Sequence, residues 1–120
     1  MSGFVSIYKD MTPAEKEVAS FLTKHLGIYW TFEQPVCVGD EKRRPRIWSP
    51  DFYLPDLGLY IEVCGSKEYD YVYREGIYKD NKIPVIFVHL YKEEGKWQNY
   101  LIMQIKEIHG NRSKIIERLE

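Results

Sequence analysis

Asp51 and Glu62 are the two residues whose type and spacing most directly suggest chemistry. Between them lies Pro55-Asp56-Leu57-Gly58, a sequence built for a turn. Pro pre-sets φ, Asp tolerates turn geometry and Gly supplies a positive φ. On either side, Ser49–Leu54 and Leu59–Cys64 are rich in β-prone residues in alternation. A tight loop pairs Leu54 with Leu59, and the same register sets Asp51 opposite Glu62. Opposed residues have Cβ atoms about 4.5–5.5 Å apart. Two carboxylates at that distance repel, and one holds its proton to unusually high pH. A cation between them removes the conflict. Hard oxygen ligands suit Mg²⁺ or Mn²⁺ better than zinc. A slipped register would instead leave a solvated polar hairpin face.

Side chains alternate along a strand. Asp51, Tyr53, Tyr60, Glu62 and Cys64 therefore share one face. Phe52, Leu54, Leu59, Ile61 and Val63 share the other, which is apolar enough for core.

The surrounding chain supplies the elements that must hold this hairpin. Ser2 to Asp10 is a short lead, extended around Phe4 to Ile7. Thr12-Pro13-Ala14-Glu15 reads as a helix start, with Thr as N-cap, Pro at the first position and Glu closing a capping box. Val18, Phe21, Leu22, His25 and Leu26 follow at helical spacing, and Gly27 ends the helix. Glu15 falls toward the apolar face and Glu17 away from it. His25, on the apolar stripe, reads as a core or interface histidine. Ile28–Val38 reads as a strand or strand-pair edge. Gly39–Arg46 reads as a loop carrying Lys42, Arg43, Arg44 and Arg46. Set just before Asp51, those cations are expected on the rim of the acidic site, contacting phosphate. Trp48 then anchors the loop or stacks on a base.

Lys67–Asn81 reads as a helix with Tyr69, Val72, Tyr73, Gly76 and Ile77 as its inner stripe. Ile83–Leu90 is a nearly continuous apolar run, as in a central strand covered on both faces. Coming after a helix, it completes a β–α–β unit and should lie parallel to Leu59–Cys64. Glu93–Lys96 is a turn. Trp97–His109 is helix-like, Gly110-Asn111 breaks it, and Ser113–Leu119 forms a last short helix. Lys106, Arg112, Lys114 and Arg118 add positive positions near the end.

At 120 residues, with 44% hydrophobic and 15% aromatic residues, the chain is expected to form a single domain, 1–120, with its own core. Its net charge of −1 excludes a polyelectrolyte binder, so any nucleic-acid site must come from local patches. Cys37 and Cys64 have neither metal-ligand nor disulfide-framework spacing. Met1–Asp10 lacks the apolar segment of a secretory leader. An intracellular, cytoplasmic location is therefore expected. No apolar run approaches the roughly 20 residues of a membrane span, so no membrane partner is expected.

Pro50-Asp51, ten residues, then Glu62-Val63-Cys64-Gly65 resembles the signature of the PD-(D/E)xK nucleases. It is most similar to the Holliday-junction-resolvase and very-short-patch-repair-like branch. The resemblance spans about Thr12 to Leu90. It implies a restriction-endonuclease-like α/β fold: a central mixed β-sheet flanked by helices, an α-β-β-β-α-β core and C-terminal helices. It implies a metal-dependent endonuclease hydrolysing phosphodiester bonds in DNA, with Mg²⁺ or Mn²⁺ as cofactor, possible specificity for DNA structure, and a possible homodimer. Asp51 and Glu62 would bind the metal, joined by the Val63 carbonyl and by Glu15, which matches the acidic residue of the family's first helix. The capping box is a second, structural account of Glu15. The family's lysine, two residues after the Glu, orients the attacking water. Cys64 stands there in this chain. Some branches supply that lysine from the following helix, which makes Lys67 the nearest candidate and Lys79 the next. The missing lysine leaves an alternative: a catalytically inactive nucleic-acid-binding or assembly module that retains the fold.

Overall fold

Helix α1 (Pro13–Ser20) begins where the capping box sets it. The Thr12 N–H donates to Glu15 Oε1 at 2.8 Å, and the Glu15 N–H donates to Thr12 Oγ1 at 3.2 Å. The structure is a computed structural model. It describes residues 10–67, 70–92 and 96–119, the stretch from 111 onward by backbone alone. The lead around Phe4, Tyr69 and the Glu93–Gly95 turn lie outside the described residues. So do the side chains of Arg112, Lys114 and Arg118 and of the final apolar stripe.

After α1 the chain widens into a π-helical turn, Phe21–His25. It stops at Gly27, whose φ of 60° is the left-handed geometry that glycine adopts without strain. The stretch expected as one strand divides. Thr31–Phe32 forms the short strand β1. Glu33 then turns with φ 55°, and Val36–Gly39 forms β2. Strand β2 pairs with β3 (Pro45–Trp48) as a separate two-stranded hairpin. The expected loop is therefore shorter than Gly39–Arg46. The Arg43 N–H donates to the Asp40 carbonyl at 2.9 Å and the Asp40 N–H to the Arg44 carbonyl at 3.0 Å. Arg43 takes the left-handed position, φ 60°, as a three-residue hairpin loop requires.

Strands β4 (Phe52–Leu54) and β5 (Leu59–Cys64) are antiparallel. Their register pairs Leu54 with Leu59 and Phe52 with Ile61, as the turn chemistry requires. Helix α2 (Val72–Asp80) carries the chain across to β6 (Val85–His89), which lies parallel to β5. The main sheet runs β1-β4-β5-β6. Strand β6 is covered on both faces, with Ile86 and Val88 in one core and Phe87 in the other. Among the described residues, however, it stands at the sheet edge and not at the centre. Helix α3 (Trp97–Leu119) runs unbroken through Gly110-Asn111. A single helical glycine costs about 1 kcal/mol, too little to end a long helix. Among the described residues no helix is long and apolar enough to cross a membrane.

Two cores sandwich the sheet. Phe52, Leu54, Leu59 and Ile61 meet α1, the π-helical turn and α3 through Val18, Leu22, Trp97 and Leu101. On the other face Cys64 and Phe87 meet Ile77 and Tyr78 of α2 and Val38 of the hairpin. The inner stripe of α2 is thus offset from the expected one. Val72 and Tyr73 are 75% and 50% exposed, while Ile77 and Tyr78 are buried. The helix also starts at Val72 rather than Lys67, with Asp70 accepting from the Val72 N–H at 2.9 Å.

Asn81 fastens the β2–β3 hairpin to α2. Its Oδ1 accepts from the Gly39 N–H at 2.8 Å, and its Nδ2 donates to the carbonyls of Gly39 (2.9 Å) and Ile77 (2.8 Å). Asn81→Ala should therefore cost about 2–3 kcal/mol at ~1 kcal/mol per net hydrogen bond. Thermal unfolding should show this as a Tm lower by roughly 10 °C, with faster amide exchange at Gly39. An unchanged Tm would detach the hairpin from this anchor.

Candidate active site

The register that pairs Phe52 with Ile61 carries on to set Asp51, just ahead of β4, beside Glu62. The Val63 N–H donates to Asp51 Oδ2 at 2.7 Å. Glu62 is 7% exposed. Burial pushes the Asp51 carboxyl well above the usual carboxylate range. The charge of Glu62 and the adjacent Glu15 add to the effect, and the Val63 N–H opposes it. Burial raises Glu62 as well, offset by Arg74 and by the Asp51 backbone N–H. Glu15 belongs both to the helix cap and to the surroundings of Asp51. It closes the capping box, and its carboxylate lies against Asp51.

The cation brought to this pair is Arg74, on α2. Its Nε lies 3.4 Å from Glu62 Oε2. The guanidinium sits 4.8 Å over the Trp48 ring and 5.9 Å from the Tyr78 ring, and Nη2 donates to the Tyr78 hydroxyl at 3.1 Å. Trp48 is half-buried here, edge-on to Tyr78 with ring centroids 5.3 Å apart. Lys67 lies in the turn ahead of α2 and is exposed, as is Lys79. Sequence reasoning passed over Arg74 because a charged residue breaks an apolar stripe on paper. Its spacing to Ile77 and Tyr78, three and four positions on, was the available signal.

The basic loop was expected on the rim of the acidic site. None of Lys42, Arg43, Arg44 and Arg46 lines the acidic cleft. The loop is organised by Asp40, which is buried. Asp40 accepts from the backbone N–H of Lys42 and of Arg44, both at 2.9 Å, and from Nε of Arg44 (3.0 Å) and of Arg46 (3.2 Å). The Arg44 backbone N–H leads in holding the Asp40 carboxyl down at about 2, against the effect of burial. Two of the four expected phosphate-binding cations, Arg44 and Arg46, are therefore paired with Asp40, and all four remain exposed. Glu41 accepts from the Tyr73 hydroxyl, which fixes the loop against α2.

Cys64 is fully buried in the second core. Burial, with Glu62 and Asp51 adding, pushes its thiol up to about 12, so no thiolate is present near neutral pH. His25 is exposed, its ring 5.3 Å from Phe21; it is not a core histidine.

No protein-family model matches the chain, and no curated protein matches it. A solved structure does, the 5-hydroxymethylcytosine-specific restriction enzyme AbaSI, with a TM-score of 0.52 and 15% sequence identity. The match covers 98% of this chain and 50% of the enzyme's, so the chain spans about half the length of that structure. The fold is restriction-endonuclease-like.

A restriction-endonuclease-like fold raises the question of a divalent metal. Glu15, Asp51, Val63 and Tyr71 line an open cleft of about 490 Å³. Among the described residues, no three His, Cys, Asp or Glu side chains converge closely enough to hold an ion by themselves. The donor chemistry nonetheless fits Mg²⁺, which is typically held by one or two carboxylates and keeps several waters. Two crowded carboxylates whose ionisation is disfavoured are the groups a cation would relieve.

The raised carboxyl values have a measurable consequence for the metal-free protein. A folded-state value above the unfolded one means that the folded state binds the proton more tightly. Stability from this source is full below about pH 3.9, the unfolded Asp value, and is lost as pH climbs through the raised folded value. In EDTA the Tm should therefore fall as pH rises from about 4 toward neutrality and beyond. Asp51→Asn should flatten that slope and raise the Tm at alkaline pH. Differential scanning calorimetry across the range checks this, and a wild-type slope unaltered in the variant would count against the pairing.

Proposed function

We propose that this chain is a metal-dependent endonuclease hydrolysing phosphodiester bonds in DNA. One observation carries the reading. A restriction-endonuclease-like sheet holds Asp51 and Glu62 side by side at the end of a hairpin, next to an open cleft and with a guanidinium against them. The similar solved structure is a restriction enzyme, which favours DNA as the substrate class.

Asp51, Glu62 and the Val63 carbonyl would hold the metal, with Glu15 adding negative charge from α1. A bound Mg²⁺ or Mn²⁺ supplies Lewis acidity toward phosphate oxygens and lowers the pKa of a coordinated water. The chain's own residues do the rest. The Val63 N–H fixes one Asp51 oxygen, so the carboxylate plane is set before substrate arrives. Arg74 reaches Glu62 from α2 and would supply the positive charge that the resemblance assigns to a lysine. Its charge stabilises the phosphate as negative charge develops on it. Trp48 and Tyr78 flank the guanidinium and restrict its rotamers. The exposed Lys42 and Arg43 add longer-range attraction for the polyanion. Cutting both strands of a duplex calls for two such sites, which a homodimer would supply.

Cleavage of plasmid and branched DNA in Mg²⁺ or Mn²⁺ tests the proposal. The wild type should cut, EDTA should stop it, and Asp51→Asn should abolish it. Arg74→Ala should lower the rate by about 10²–10⁴-fold. Arg74→Lys should recover part of that loss, and Lys67→Ala should leave the rate unchanged. DNA binding without any cleavage in either metal would make the chain a non-catalytic module on a nuclease fold.

A further inference from the structure

The tip of the β2–β3 hairpin gathers cations around one buried acid. The Asp40 side chain is 3% exposed, whereas those of Arg44 and Arg46 are 54% and 49% exposed. Both guanidiniums donate from Nε to the same oxygen, Asp40 Oδ2, at 3.0 and 3.2 Å. They are therefore neighbours. A guanidinium has five N–H donors, so the Nη edge of each remains for another acceptor. Lys42 is exposed beside them, and Asp40 Oδ1 takes its backbone N–H together with that of Arg44. Three cations thus surround one acid, and the surplus charge is positive. The other acids nearby are engaged differently. Glu41 accepts from the Tyr73 hydroxyl, and Asp80 shares a hollow with Glu41 and Arg43. Arg43 is accordingly left out of the cluster.

The cluster is held in place before any ligand arrives. Backbone hydrogen bonds between Asp40 and both Arg43 and Arg44 close the loop, and Asn81 fastens the adjoining Gly39 to α2. An arginine that is already oriented loses less rotamer freedom when it binds. The hairpin carries no exposed ring on which a base could stack. Its single aromatic residue, Trp48, is half-buried against Arg74, and its outer face presents Cys37, Pro45 and Ile47. The tip lies beyond Pro45, about 10 Å along β3 from Trp48 at ~3.4 Å per residue. None of its cations lines the acidic cleft.

Resting on the nuclease reading above, we propose that Arg44 and Arg46, with Lys42 beside them, clamp one phosphodiester of the DNA backbone away from the phosphate that is cut. Guanidinium N–H groups suit phosphate oxygens, and two guanidiniums tied to one carboxylate approach a single phosphate from neighbouring positions. With no base contact available, the clamp anchors the duplex without reading its sequence. It contributes to binding and takes no part in bond cleavage.

Fluorescence anisotropy with labelled duplexes of unrelated sequence, in Ca²⁺ in place of Mg²⁺, tests this. In Arg44→Gln/Arg46→Gln each side chain keeps an N–H for Asp40 and loses its charge, so the hairpin should stay folded, with thermal unfolding as the check. This variant should bind every duplex about tenfold more weakly, with the salt slope reduced by about one unit, the loss expected for one phosphate contact. Arg44→Lys/Arg46→Lys keeps the charge without the guanidinium, and should restore the salt slope but only part of the affinity. In Mg²⁺ the loss in the glutamine variant should fall on KM and not on kcat. If the wild type binds duplex DNA and the glutamine variant binds it equally well with the same salt slope, the inference is overturned and the nuclease reading stands. A loss confined to particular sequences also overturns it, since the hairpin would then be reading bases. If inorganic phosphate binds the wild type as tightly as the duplex does, the cluster is a free-phosphate site and the inference is again overturned. If the wild type binds no DNA at all, the inference falls together with the reading beneath it.

Discussion

Two carboxylates confined to the end of one hairpin are the constraint on which the rest of this structure depends. Asp51 and Glu62 are held together by a register that also buries Phe52, Leu54, Leu59 and Ile61. They cannot separate without moving the apolar side chains out of the core, because a one-residue slip reverses every face. The repulsion is therefore stored in the fold. It is moderated by a backbone N–H on Asp51 and by a guanidinium on Glu62, and an ion can relieve it further. Like-charge crowding that packing enforces is a signature of a site kept for binding or chemistry.

The second core follows from the same requirement. An arginine beside a buried glutamate needs its stem packed and its head oriented. Trp48 and Tyr78 do both, and Trp48 comes from a hairpin that pairs with no strand of the main sheet. That hairpin holds its place through Asn81, through the Glu41–Tyr73 contact and through Val38 in the second core. Asp40 gathers Arg44 and Arg46 at its tip. An excursion that looks dispensable for the sheet thus braces the cation at the acidic pair. Cys64, small and fully buried, is given over to core packing, and the positive charge beside Glu62 enters from α2.

What could be read in the sequence was local. Pro55–Gly58 has one good turn solution, so the β4–β5 register and the placement of Asp51 beside Glu62 followed. The capping box at Thr12 and Glu15 lies within one helical turn, and a β–α–β unit admits few arrangements. What could not be read depended on contacts distant in sequence. The hairpin docks on α2 because Asn81 reaches Gly39, 42 residues away. The α2 stripe was placed out of phase because Val72 and Tyr73 look apolar, and yet it is Arg74 that faces inward. Asp40 was passed over because two acids beside four cations read as loop chemistry. In fact it accepts four hydrogen bonds that decide where two of those cations lie.

The position of β6 carries a kinetic consequence. Among the described residues its outer edge pairs with no further strand, although Ile86, Phe87 and Val88 are as well covered as those of an interior strand. Covering the faces does nothing for the open row of N–H and C=O groups along an edge. The pairing with β5 also closes late, since it waits for α2 to span the crossover. During that interval Val85–His89 is a short, uncharged, β-branched segment of the kind that self-associates. Pro84, lacking an N–H at its front, and Lys92, a charge soon after its end, act as gatekeepers against that pairing. Solubility during refolding is thus governed by residues that have no part in the acidic site.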